Sequence, residues 1–225
     1  MPATNKIDIR SLDLSQLQQH FTAMQEPAYR AKQVYQWLWE KSARSFAEMS
    51  NLSKDLRAKL DAQYAINVVA VNKSQISNDH TIKNAFRLYD GNIVEGVLIP
   101  MDERMTACVS SQVGCSLTCK FCATGYMDRK RNLNADEIYD QVVLIDQQAK
   151  KNYNTPLTNI VYMGMGEPLL NYANVLKSIE RITAPDGLNM SYKRITVSTA
   201  GISKMIKKLG DDGVKFNLAL SLHGQ

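Results

Sequence analysis

Cysteine is nearly absent from this 225-residue chain: there are four, and all lie between Cys108 and Cys122. So confined a set cannot build the spread-out framework of a disulfide protein, and it points to a reducing compartment. Histidine is scarcer still. His20, His80 and His223 stand far from the cysteines in sequence, so a mixed zinc site would need a ligand brought from a distance. No run approaches the roughly 18 apolar residues of a membrane span. The opening MPATNKIDIR holds polar and charged residues where a signal peptide has its apolar stretch. A soluble, cytoplasmic protein with no membrane partner is the expectation. Strong charge is missing too: a net +5 permits a polyanionic partner without demanding one. No internal repeat or low-complexity tract interrupts the chain, and 44% hydrophobic residues suffice for one or two cored domains.

What is present centres on Cys108–Gly125, C-V-S-S-Q-V-G-C-S-L-T-C-K-F-C-A-T-G. Cys115, Cys119 and Cys122 follow a C-x3-C-x2-C spacing on one short, glycine-bounded loop. A [4Fe–4S] cluster takes one protein ligand per iron, so three cysteines would leave one iron open. Zinc, closed by a long-range fourth ligand, is the competing metal, and a set of small buried thiols is the plain structural alternative.

Around this loop the chain divides into three patterns. Residues 1–66 read as helices: one from Asp13, one from Tyr29 to Trp39 with Ala31, Val34, Tyr35, Leu38 and Trp39 on one face, and one from Lys54 to Gln63 capped by Ser53. Residues 67–104 read as a small antiparallel β extension, with the turn Asp90-Gly91-Asn92 between two β-rich runs. Residues 105–225 alternate strands (Met105–Ser111, Asn159–Met163, Arg194–Thr199, Lys215–Ser221) with helical patterns between them. Such alternation implies an α/β fold with a parallel sheet, here a partial (β/α) barrel. The unusual residues follow the strand ends: the cysteine loop, Gly164–Pro168, Ser198–Gly201 and Ser221–Gly224. Loops at that end of a βα-barrel build its active site.

With these motifs in order, the chain resembles the RlmN/Cfr-type radical S-adenosylmethionine (SAM) RNA adenosine methyltransferases. The likeness runs from P-A-Y-R-A-K-Q-V-Y-Q-W-L-W through D-G-N-I-V-E-G-V-L-I-P, the cysteine loop and R-N-L to Y-M-G-M-G-E-P-L-L-N, R-I-T-V-S-T-A-G and L-A-L-S-L-H. The resemblance implies a helical accessory domain of RNA-binding type, a radical SAM barrel, and methylation of adenine C2 in 23S rRNA and tRNA. It implies a [4Fe–4S] cluster on Cys115, Cys119 and Cys122 with SAM chelating the fourth iron. Gly166, Glu167, Ser198 and the Ser221-Leu222-His223 segment would contact SAM, Glu95 would accept a proton, and Cys108 would resolve a protein–RNA adduct. Pattern alone makes Glu95 only a polar position of an amphipathic strand. A flavodoxin-like electron donor and a monomer are the family expectation. Arg129, Lys130 and Arg131 beside the cluster loop are candidates for RNA phosphate contact. The chain departs from the family after Cys122, where no further cysteine occurs to carry the methyl group, and S-L-H runs into Gly-Gln. The later barrel strands are missing too, so the chain reads as truncated and unable to turn over alone. A non-catalytic RNA-binding module stabilised by a metal or cluster is the other reading.

Overall fold

The computed structural model describes residues 6–222. The chain forms two compact units, one of residues up to 68 with 184–189, the other of 69–183 with 190 onward.

In the first unit, Asp13 starts α1 (Leu14–Ala23) with a capping box. Its carboxylate accepts from the Gln16 N–H, and the Gln16 side chain accepts from the Asp13 N–H. α2 (Ala28–Trp39) buries Ala31, Val34, Tyr35, Leu38 and Trp39, the stripe that its sequence spacing predicts. Ser53 caps α3 (Lys54–Gln63) by accepting from the Leu56 N–H, and Leu56 and Leu60 turn inward.

The second unit is built on one seven-stranded sheet. β1 (Ala70–Ile76), β2 (Ile82–Arg87), β3 (Ile93–Met101) and β4 (Arg104–Cys108) form an antiparallel meander. Pairing then turns parallel. α4 (Ala135–Tyr153) leads into β5 (Asn159–Tyr162), α5 (Tyr172–Thr183) precedes β6 (Ile195–Thr199), and α6 (Ser203–Asp211) precedes β7 (Asn217–Leu220). The order is β7-β6-β5-β4-β3-β2-β1. Residues 67–104, set apart by their sequence pattern, are thus the antiparallel side of the same sheet. β1 starts at Ala70 and runs through Asn72-Lys73-Ser74-Gln75. These polar residues lie exposed on an edge strand, held by pairing to β2 rather than by burial, so apolar patterning misses them.

Alternation divides the sheet into two faces. Val94, Leu98, Ala107, Ile160, Ile195 and Val197 share one and are fully buried. α4 packs on that face, sinking Ile138, Val142, Ile145 and Ala149 at helical spacing. The register Val97–Cys108–Val161–Thr196 runs across the opposite face, which also carries Glu95 and Ser198. Every parallel strand points its carboxyl end the same way, and no described helix is long and apolar enough to cross a membrane.

Candidate active site

Loops leave the carboxyl ends of β4, β5, β6 and β7, and residues from each wall one cavity of about 520 Å³. The first loop gives Cys115, Cys119 and Cys122, the second Gly166 and Glu167, and the fourth Ser221. Ser198, in β6, adds a hydroxyl whose oxygen lies 3.1 Å from that of Ser221.

The cysteine loop is closed at its base by a two-residue antiparallel ladder, Gln112–Val113 against Arg131–Asn132. Gly114 follows with φ +74°, and a Cβ there would collide with the Asp128 carbonyl oxygen. Only glycine suits such a position. From Cys115 to Lys130 no residue is buried, so the loop has no core of its own. Turns shape it instead: the Cys122 N–H donates to Cys119 O at 3.0 Å, and Gly125 N–H to Cys122 O at 2.9 Å.

The second loop crosses directly over the first. Gly166 takes φ +95° and lies against the Gln112 side chain, which leaves no room for a Cβ. Glu167 is only 4% exposed. Its Oε1 accepts from the Leu169 N–H (3.1 Å) and its Oε2 from the Ala200 N–H (2.9 Å). One carboxylate therefore ties the β5 loop to the β6 loop, and each oxygen retains a lone pair for a further donor.

Ser110, Ser111 and Gln112 sit inside the C-V-S-S-Q-V-G-C motif with no role that the motif itself assigns. All three are buried and act as brackets between loops. Ser110 Oγ donates to Glu95 O and accepts from the Met165 N–H (2.8 Å). Gln141, on α4, accepts from the Ser110 N–H and donates to the Ser110 carbonyl. Gln112 Oε1 accepts from the Glu167 N–H, while Asn171 Nδ2 donates to the Ser111 and Leu133 carbonyls. Three polar residues directly after an apolar strand were the available signal, since buried polar groups persist only where partnered.

Electrostatics describe what the cavity accepts. Burial above all raises the Cys115 thiol; a hydrogen bond from the Leu117 N–H opposes the rise, and Cys119, Cys122 and Glu167 add to it. Three thiols and a carboxylate around one cavity favour a cationic occupant, and a bound metal reverses the rise by taking thiolates. Among the described residues, no group of three or more His, Cys, Asp and Glu converges on a single ion. Those residues therefore supply no closed four-ligand zinc site; by number, the three cysteines lining the cavity match a cluster that takes one thiolate per iron and leaves one iron open.

The remaining predicted residues stand outside this cavity. Glu95 pairs with Lys83 at 2.7 Å, both side chains about half exposed (48% and 49%), a pair of small energetic weight. Cys108 lies on the same sheet face; burial pushes its thiol up to about 11 against a hydrogen bond from Met163, itself a cavity residue. Leu222 is exposed, and His223 falls outside the described residues. Arg129 donates to Asn132 Oδ1 and Lys130 to Asn92 Oδ1. Arg131 is committed elsewhere: its guanidinium grips Glu137 at 2.6 and 2.8 Å and Asp90 at 2.6 Å. Of the basic triplet, it is the member bonded to carboxylates of the fold.

Comparison with known proteins agrees with this geometry. Residues 7–66 match the ribosomal RNA large subunit methyltransferase N-terminal domain, and residues 109–222 match the radical SAM superfamily. A probable dual-specificity RNA methyltransferase RlmN from Cytophaga hutchinsonii is 65% identical over 96% of this chain and 59% of its own length. The dual-specificity RNA methyltransferase RlmN of Geotalea uraniireducens is 43% identical over 97% and 62%. The crystal structure of a radical SAM methyltransferase from Sphaerobacter thermophilus superposes with a TM-score of 0.87 at 38% identity, covering 96% of this chain and 64% of that one. The chain thus spans less than two thirds of the length of the relatives it matches. With just over half of its residues matched to one superfamily model, the chain belongs to the radical SAM superfamily.

Proposed function

We propose that this protein holds a [4Fe–4S] cluster on Cys115, Cys119 and Cys122 with SAM beside it, in an RNA methyltransferase acting on adenine C2 of 23S rRNA and tRNA. The observation that carries the reading is the meeting of three thiols, the Glu167 carboxylate and two serine hydroxyls in one cavity at the strand ends. Superfamily membership brings cluster and SAM with it. Bound there, they supply one-electron reduction and the methyl group, chemistry that no side chain here provides.

The chain's own residues bind, orient and move protons. The free lone pairs of Glu167 accept from an ammonium group, and the φ +95° turn at Gly166, packed against Gln112, brings its backbone to the ligand. Ser198 and Ser221 donate to carboxylate oxygens and donate to or accept from ribose hydroxyls, and Leu222 and His223 are assigned to SAM contact with them. Glu95 takes up the proton lost from the base. Cys108 resolves the adduct, a role that requires a base to reach it, because burial keeps the thiol protonated. Arg129 and Lys130 meet RNA phosphates. The four parallel strands are read as part of a (β/α) barrel, the N-terminal helices as its RNA-binding accessory domain, and the protein as a monomer served by a flavodoxin-like donor.

Anaerobic reconstitution tests the reading. Iron and sulfide near four per chain, with a reduced-cluster EPR signal that shifts on adding SAM, are expected. Tight stoichiometric zinc with no response to SAM would instead assign a non-catalytic, metal-stabilised RNA-binding module.

A further inference from the structure

The cysteine loop poses a mechanical problem. Residues 115–130 contain no buried side chain, yet three of them must present thiols to one centre. Their arrangement has to be imposed from the base, where the ladder of Gln112–Val113 with Arg131–Asn132 closes the loop. A two-residue ladder is a weak fastening by itself, because a lone short strand pair is at best marginal in water.

Arg131 ties that ladder to two other elements. Nη1 and Nη2 meet the two Glu137 carboxylate oxygens at 2.6 and 2.8 Å, a bidentate pair with the first turn of α4. Nε donates to Asp90 Oδ2 at 2.6 Å on the turn between β2 and β3, and the guanidinium lies 5.2 Å from the Tyr89 ring centroid. Glu137 is fully buried and also closes the α4 capping box by accepting from the Asn134 N–H. Burial opposes charge on both partners, but the hydrogen bonds outweigh it: Asp90 is held at about 2, and Arg131 is raised above its usual range. Charge-assisted bidentate contacts are the strong and geometrically specific kind.

The geometry points to Arg131 as the positioning residue that fixes the cysteine loop to α4 and to the β2–β3 turn, so that the three thiols are set before a cluster arrives. This assignment rests on the cluster reading above, yet its first readout needs no cluster. In the iron-free full chain, Arg131→Gln should speed amide exchange across residues 113–131 by about tenfold or more, the weight of even one of the three charge-assisted hydrogen bonds it loses, and leave α4 beyond its first turn unchanged. Iron retained after reconstitution should fall in parallel. Arg131→Lys should not rescue either, since an ammonium cannot form the fork. Because R131Q leaves Glu137 buried without its charge partner and could unfold the unit, the double variant R131Q/E137Q provides a second test with both charges removed. Loop exchange equal to wild type in a folded R131Q, or in the double variant, overturns the assignment. A wild-type chain that takes up no iron sinks the cluster reading instead, and the exchange comparison still decides the role of Arg131.

Discussion

Cys108 shows how far a residue's surroundings can depart from what its sequence position suggests. Its thiol is pushed from 9.0 up to about 11 by burial, opposed only by the Met163 hydrogen bond. The folded state therefore keeps a proton that the unfolded chain gives up. The stability this provides is complete below about pH 9 and is lost as pH rises from there to about 11. Reactivity follows the same sign. At pH 8, iodoacetamide should modify Cys108 on the order of a hundredfold more slowly than an unfolded control peptide, and equal rates would contradict the burial. Gly114 offers a second residue-level test. Gly114→Ala places a side chain at φ +74° against the Asp128 carbonyl, at a cost of roughly 1–3 kcal/mol. Iron content after reconstitution should drop, while circular dichroism of the helices stays the same. The cysteines were legible in the sequence because ligand spacing is a local property. The pairing of Glu167 with the Ala200 amide was not, since the two lie 33 residues apart and only the parallel register brings them together.

Among the elements, those that bury an apolar stripe were the readable ones. α2 and α4 announce themselves by helical spacing, and the parallel strands by short β-branched runs. β1 failed that test because exposed asparagine, lysine and glutamine carry no stripe, and the Gln112–Val113 ladder is too short for any pattern. Energetic weight follows the same division. Ile138 is fully buried on α4, so Ile138→Ala should cost about 2–5 kcal/mol, seen as a lower urea midpoint at unchanged slope. A shift below about 0.5 kcal/mol would mean that α4 does not carry the core.

For the molecule as a whole, charge is the property that bears on the proposed RNA binding. A net +5 is modest, so the proposed affinity would come from placement rather than total charge. Arg129 and Lys130 are exposed beside the cysteine loop, whereas Arg131 is spent on Glu137 and Asp90. Replacing Arg129 and Lys130 together by Ala should reduce the slope of log K against log salt by about 1.4 for single-stranded RNA. An unchanged slope would remove them from the interface. Sequence alone could not separate the three, because a basic triplet looks the same whether its members face solvent or a buried carboxylate.

A loop of sixteen residues without a buried side chain also makes a built-in gauge of occupancy. Lys120, Arg129 and Lys130 are all exposed within it, and each is a cleavage site for trypsin. A chain stripped of metal holds that loop by its base alone, and local opening is what a protease needs. The first trypsin cuts should therefore fall between Cys119 and Arg131 in the stripped protein and slow once the thiols are ligated. The digestion pattern then reports how much of a preparation is loaded, with no chemistry assayed.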